Sequence, residues 1–300
     1  MPESSPAEPA DAPTVPLDAA LVRAWPMPVR HGGDKFARGT AVVVGGSPRT
    51  PGAVRLAGEA ALRMGAGRLQ IATASEVAVA LGVAVPEALV VSLETDDDGG
   101  LRWSDEQHLA TMLHEAEAVL IGPGMLNETC TEIVAGVLRC IGDEALVVLD
   151  ASALCSLAGI ADQLIPRGRL VLTPNRQELR TLAGCDDDPD GDIDDATLAA
   201  RVAEEYGAVI SCFGQVTAPD RSWTTGTGSP GLGTSGSGDV LAGLVVGAAA
   251  RCGNAAQATC WATVAHTESA ASLARRYGEL SFLARELVAE SALVLGAIEA

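Results

Sequence analysis

The segment Ser229–Ala250, SPGLGTSGSGDVLAGLVVGAAA, joins a glycine-rich turn, one carboxylate and a long apolar run. Gly236 and Gly238 flank Ser237, and Asp239 follows at once. Without a Cβ, glycines let backbone amides approach an anion and let the turn adopt positive φ. The run from Val240 predicts a buried helix, whose open N-terminus favours phosphate. A carboxylate in the first turn can take the proton of a hydroxyl as that hydroxyl attacks phosphorus. The same residues also suit a plain core helix capped by Ser237 or Asp239. Alone, the segment leaves both readings open.

Upstream, short β-branched runs alternate with stretches of helical spacing, the pattern of a parallel sheet covered by helices. Strands are predicted at 41–46, 68–73, 88–93, 118–123, 145–150, 169–174 and 208–213, with a hairpin through QVTAPDRSWTT. Helices are predicted at 52–65, 75–83, 105–116, 128–140, 175–183 and 195–206, then 237–252, 254–275 and 282–298. This is an α/β chain, a three-layer αβα sandwich around a mainly parallel central sheet. Residues 1–28, rich in proline and acid, read as a disordered tail, and 29–300 as one domain. The insert CDDDPDGDIDD (185–195) reads as a solvated loop, since its spacing lacks the pattern of a calcium loop.

Charge and composition narrow the partners. Twenty Lys plus Arg against 39 Asp plus Glu leave a formal charge of -19, which disfavours nucleic acid and anionic membrane. Lys35 is the sole lysine, so a Gly-Lys-Ser/Thr phosphate loop is excluded. The seven cysteines are never spaced Cys-x-x-Cys and read as thiols of a reducing cytoplasm. The N-terminus has no secretory pattern, and no run reaches the ~18 apolar residues of a membrane span.

In open α/β sheets ligands gather beyond the carboxyl ends of the strands. There, Asn175 and Glu178 in TPNRQE have the spacing to hold a hydrated Mg²⁺, or equally to form a capping box. GPGM (122–125) and TPGA (50–53) suit either ordinary turns or close backbone approach to a ligand. Asp150 is read as a loop-bracing acceptor or an active-site acid. The histidines His31, His108, His114 and His266 show no metal spacing, and Arg275 and Arg276 complement a helix end.

In order, GTAVVVGGSPRTPGAVRLAGEAALRMGAGRLQIAT, VLIGPGM, VVLDASAL, LTPNRQEL and GTSGSGDVLAGLVVG resemble the NAD(P)H-hydrate dehydratases of the ribokinase-like superfamily, from about His31 to Leu295. The resemblance implies repair of hydrated NADH or NADPH (NADHX, NADPHX). ADP or ATP phosphorylates the ring hydroxyl, and loss of phosphate restores the cofactor. It implies Asp239 as general base. It places Gly214, Gly236, Ser237 and Gly238 against the nucleotide, and Ala53, Gly124 and Asn175 against the hydrated cofactor. Mg²⁺ and a homo-oligomer, typically a tetramer, are also implied. The epimerase domain fused in front of some members is not expected here. Two positions depart from the family: Asn175 stands where a histidine is usual, and Phe213-Gly214 where a Lys-Gly pair is usual. Lys35, Arg38 and Arg49 are candidates to replace that lysine. The alternatives are a vitamin-precursor kinase of the same fold and a catalytically weak nucleotide-binding relative.

Overall fold

The computed structural model describes residues 14–28, 35–103, 107–126, 129–185, 193–226 and 229–300. His31 and most of the acidic insert lie outside these residues. The strands are β1 (Thr14–Pro16), β2 (Thr40–Val44), β3 (Arg68–Ala74), β4 (Ala88–Leu93), β5 (Ala118–Ile121), β6 (Leu146–Leu149), β7 (Leu170–Leu172), β8 (Ala208–Cys212), β9 (Gln215–Ala218) and β10 (Arg221–Thr224). The α-helices are α1 (Ala19–Ala24), α2 (Pro51–Arg63), α3 (Ser75–Ala84), α4 (Gln107–His114), α5 (Cys130–Cys140), α6 (Arg176–Leu182), α7 (Asp195–Tyr206), α8 (Ser237–Cys252), α9 (Ala255–Tyr277) and α10 (Ala284–Glu299).

The strands form one sheet in the order β1-β10-β9-β8-β7-β6-β5-β2-β3-β4. Pairing is parallel from β8 through to β4, whereas β9 is antiparallel to both β8 and β10. Period-2 alternation divides the core. Ala41, Val43, Leu120 and Val148 face the layer that contains α2, α8, α9 and α10. Val42, Val44, Ile121 and Leu149 face the layer that contains α4, α5, α6 and α7. Burial on both faces explains why the central strands β2, β5, β6 and β7 read as continuous apolar runs.

The tail expectation is corrected for residues 14–28. β1 pairs in parallel with β10, and Val22 of α1 is fully buried. Trp25 stacks on Trp223 at 6.2 Å, and its carbonyl accepts from Trp261 Nε1 at 2.8 Å. Proline and acid masked a weak local signal: Asp18 caps the helix through Leu21 N at 2.8 Å, directly ahead of an apolar repeat.

Two glycines set the spacing of the helical layer. A Cβ on Gly243 would come within 2.7 Å of Ala57 Cα, and one on Gly247 within 2.8 Å of Ala61 Cα. Small residues one turn apart on each helix thus let α8 lie backbone-to-backbone against α2. That contact points the N-terminus of α8 at the carboxyl end of the sheet.

Candidate active site

The glycine turn, the strand ends of β6 and β7, and the β8–β9 hairpin enclose a cavity of about 990 Å³. Gly236 adopts φ 88° as the N-cap of α8, so Ser237, Gly238 and Asp239 occupy its first turn. Ser237 N donates to the Thr234 carbonyl at 3.2 Å, and the amides of Gly238 and Asp239, next in the first turn, are those a helix start leaves without an intrahelical acceptor. Gly214, Gly236, Ser237, Gly238 and Asp239 all line the cavity. The helix-cap alternative is not supported, because neither Ser237 nor Asp239 stands at the N-cap.

Asp239 is half-buried, and burial pushes its carboxyl up to about 6. Asp150, at the end of β6, also lines the cavity and is 5% exposed. Burial first, then the charges of Asp239 and Glu178, push it up to about 7, although Thr173 Oγ1 donates to its Oδ1 at 2.8 Å. Asp150 therefore braces the end of β7 through Thr173 and lines the cavity.

Asn175 and Glu178 form a capping box. Glu178 N donates to Asn175 Oδ1 at 3.0 Å, and Asn175 N donates to Glu178 Oε2 at 2.8 Å. Both line the cavity, and burial raises the Glu178 carboxyl above its usual range. No group of three or more His, Cys, Asp or Glu among the described residues could hold a metal ion. The described residues thus build no metal cage; the donors at the cavity suit a Mg²⁺ carried largely by phosphate and water.

Ala53 and Gly124 do not line this cavity, but they meet each other. Gly124 has φ 67°, a Cβ there would stand 2.9 Å from Ala53 Cβ, and Thr50 Oγ1 donates to its carbonyl at 2.7 Å. One turn along α2 from Ala53, Leu56 Cδ1 lies 2.7 Å from where a Gly236 Cβ would be. The pair is therefore one helical turn from the glycine loop.

Three features were missed in the sequence. His266 is buried at the cavity wall against Ser237, and no local pattern on α9 marks it. Arg176 is the one lysine or arginine lining the cavity among the described residues. Lys35 and Arg38 precede β2, at the opposite end of the sheet, and Arg49 does not line the cavity. Third, the hydroxyls of Thr225 and Ser229 are buried without a partner among the described residues, and Ser229 lines the cavity.

A family model of the NAD(P)H-hydrate dehydratases matches residues 41–292. The chain belongs to this family. A curated family member, the ADP-dependent (S)-NAD(P)H-hydrate dehydratase of Xanthomonas campestris, is 43% identical over 91% of this chain and 93% of its own length. The bifunctional NAD(P)H-hydrate repair enzyme Nnr of Escherichia coli is 33% identical over 88% of this chain, which spans about half of that protein (48%). The ADP/ATP-dependent NAD(P)H-hydrate dehydratase of Bacillus subtilis, co-crystallised with ATP/Mg²⁺, superposes with a TM-score of 0.75 at 25% identity, covering 97% of this chain and all of that one. The fold is that of a ribokinase-like superfamily protein of Enterococcus faecalis, with a TM-score of 0.80 at 22% identity over 95% of this chain and 96% of that one.

Proposed function

We propose that this protein is a nicotinamide-cofactor repair enzyme, a hydro-lyase that dehydrates NADHX or NADPHX at the expense of ADP or ATP. One observation carries the reading: a half-buried carboxylate, Asp239, stands in the first turn of a helix whose glycine mouth opens on a strand-end cavity. The nucleotide's phosphates lie against Gly236, Ser237 and Gly238, with Gly214 across the cavity. Asp239 takes the proton of the ring hydroxyl as its oxygen bonds to the terminal phosphorus and the bond to the nucleotide breaks. Phosphate then leaves with the C–O electrons, the adjacent ring carbon gives up a proton to solvent or to the departing phosphate, and the C–H electrons form the double bond that restores the dihydropyridine. Ala53 and Gly124, with Asn175, form the side that receives the hydrated cofactor.

Asn175 and Glu178 would help hold a Mg²⁺ brought in on the nucleotide, which would neutralise phosphate charge there. This offsets the repulsion a polyanion meets on approaching a chain of charge -19. We further infer a cytoplasmic enzyme assembled as a homotetramer. Seven cysteines without a disulfide support a reducing compartment, and exposed Val79, Val83 and Leu89 around the β4 edge support association. No helix among the described residues is long and apolar enough to cross a membrane.

The test is direct. Purified protein is mixed with Mg²⁺, NADHX and either ADP or ATP, and near-ultraviolet absorbance of the restored dihydronicotinamide is followed together with released phosphate. Equal recovery of the two is expected. A stable phosphorylated alcohol instead would make the protein a kinase, and nucleotide binding without turnover would make it a binding relative.

A further inference from the structure

Arg176 stands at the start of α6, and its guanidinium lies over the ring of Phe213, 4.9 Å from the centroid. The same guanidinium is paired with Asp195 at 2.8 Å, in a side chain that is 62% exposed. Phe213 is itself 60% exposed and sits at φ 49°, in the left-handed region that a side chain of this size rarely adopts. Gly214 follows at φ 75°, and Cys212 pairs with Gln215. The two residues therefore form a two-residue hairpin turn with both φ positive, where asparagine, aspartate and glycine are the usual occupants. A phenylalanine there serves neither the turn nor the core. It serves the cavity, where its ring carries the arginine.

We propose that Arg176 is the positioning and specificity residue for the nucleotide phosphates, with Phe213 as the platform that holds its guanidinium at the cavity. The inference rests on the nucleotide reading above and extends it to a residue pair. Arg176 is the one lysine or arginine lining the cavity among the described residues, while Asp150, Glu178 and Asp239 make that cavity strongly acidic. A nucleoside diphosphate or triphosphate needs a fixed cation in such a place. An exposed ion pair with Asp195 opens at little cost, and a guanidinium meets phosphate through paired N–H donors. The buried hydroxyl of Thr225, against Gly214 of the same hairpin, and that of Ser229, at the cavity, have no partner among the described residues and are further donors for phosphate oxygens.

The test compares ADP with adenosine in calorimetric titrations of wild type, R176A, R176K, F213N and D195N. ADP affinity is expected to fall roughly tenfold in R176A while adenosine affinity changes less than about twofold, since only the phosphates lose a partner. R176K should recover part of the loss. F213N suits the turn better, so it should keep or raise the melting temperature while still weakening ADP. D195N breaks the same ion pair without removing the cation, and should bind ADP as wild type does. Equal losses for ADP and adenosine in R176A, or R176A and D195N behaving alike, would overturn the assignment. So would unchanged ADP affinity in R176A. Wild-type protein that binds neither ADP nor ATP would instead sink the nucleotide reading, and this assignment with it.

Discussion

His266 Nε2 lies 3.1 Å from both the hydroxyl and the carbonyl oxygen of Ser237. A carbonyl can only accept, so Nε2 carries the proton of the neutral ring and donates toward both oxygens. A histidine of α9 thus fixes the first residue of α8, and with it the register of Gly238 and Asp239.

Replacing His266 with Ala should lower kcat/KM by about tenfold through loss of this alignment. It should also cost about 2–3 kcal/mol of stability from the lost packing and hydrogen bond. Burial pushes the imidazole down to about 4. A depressed pKa means that the folded state resists protonation. Stability from this site is present above about 6.5 and is lost as pH falls toward 4, by on the order of 3 kcal/mol. Melting curves from pH 7 to pH 4 should show that loss in wild type and less of it in His266→Ala.

Asp239→Asn keeps the shape of the first turn but removes the base. Turnover should fall by about 10²–10⁴ while ADP affinity stays within about tenfold, because a base acts mainly in the transition state. With its carboxyl pushed up to about 6, wild-type kcat/KM should rise as pH climbs through 6 and then level off. A collapse of nucleotide binding in Asp239→Asn would make the residue structural.

Asp150 has the opposite stability sign to His266. Its folded pKa of about 7 lies above the ordinary 3.8, so the folded state holds its proton more tightly. Its contribution is full below about 4 and lost as pH rises through 7, on the order of 4 kcal/mol at most. Asp150→Asn keeps an acceptor for Thr173 and should raise the melting temperature at pH 8 far more than at pH 4. Equal shifts at both pH values would show that Asp150 is not held neutral by its surroundings.

Gly243→Ala tests the seat of α8. The added methyl would press on the backbone of Ala57, and denaturant unfolding should show a loss of about 1–3 kcal/mol. The same change at Gly238, where nothing lies within 4 Å of a Cβ, should cost far less stability and act instead on nucleotide affinity.

Excess chelator should abolish turnover with ADP or ATP, and Mg²⁺ should restore it. Full activity in chelator would leave the first-turn amides and Arg176 to balance the phosphate charge alone.

The ten-stranded sheet was largely legible because strands buried on both faces must be continuously apolar, and Gly-x-Gly-Asp before an apolar run marks a helix mouth. Asp239 and its glycines could therefore be named from their neighbours in the chain. Asn175 and Glu178 show the limit of spacing: three residues apart satisfies both a capping box and a metal pair, and only the atoms distinguish them. Residues 14–28 were hidden because their partners, Trp223, Gln257 and Trp261, lie about two hundred residues or more away. His266, Asp150 and Arg176 likewise come from three separate elements that meet only at one cavity. Local pattern reports which face of an element is buried. Which charges share a desolvated space, and so which carboxyl is raised and which imidazole stays neutral, depends on distances that only tertiary packing sets.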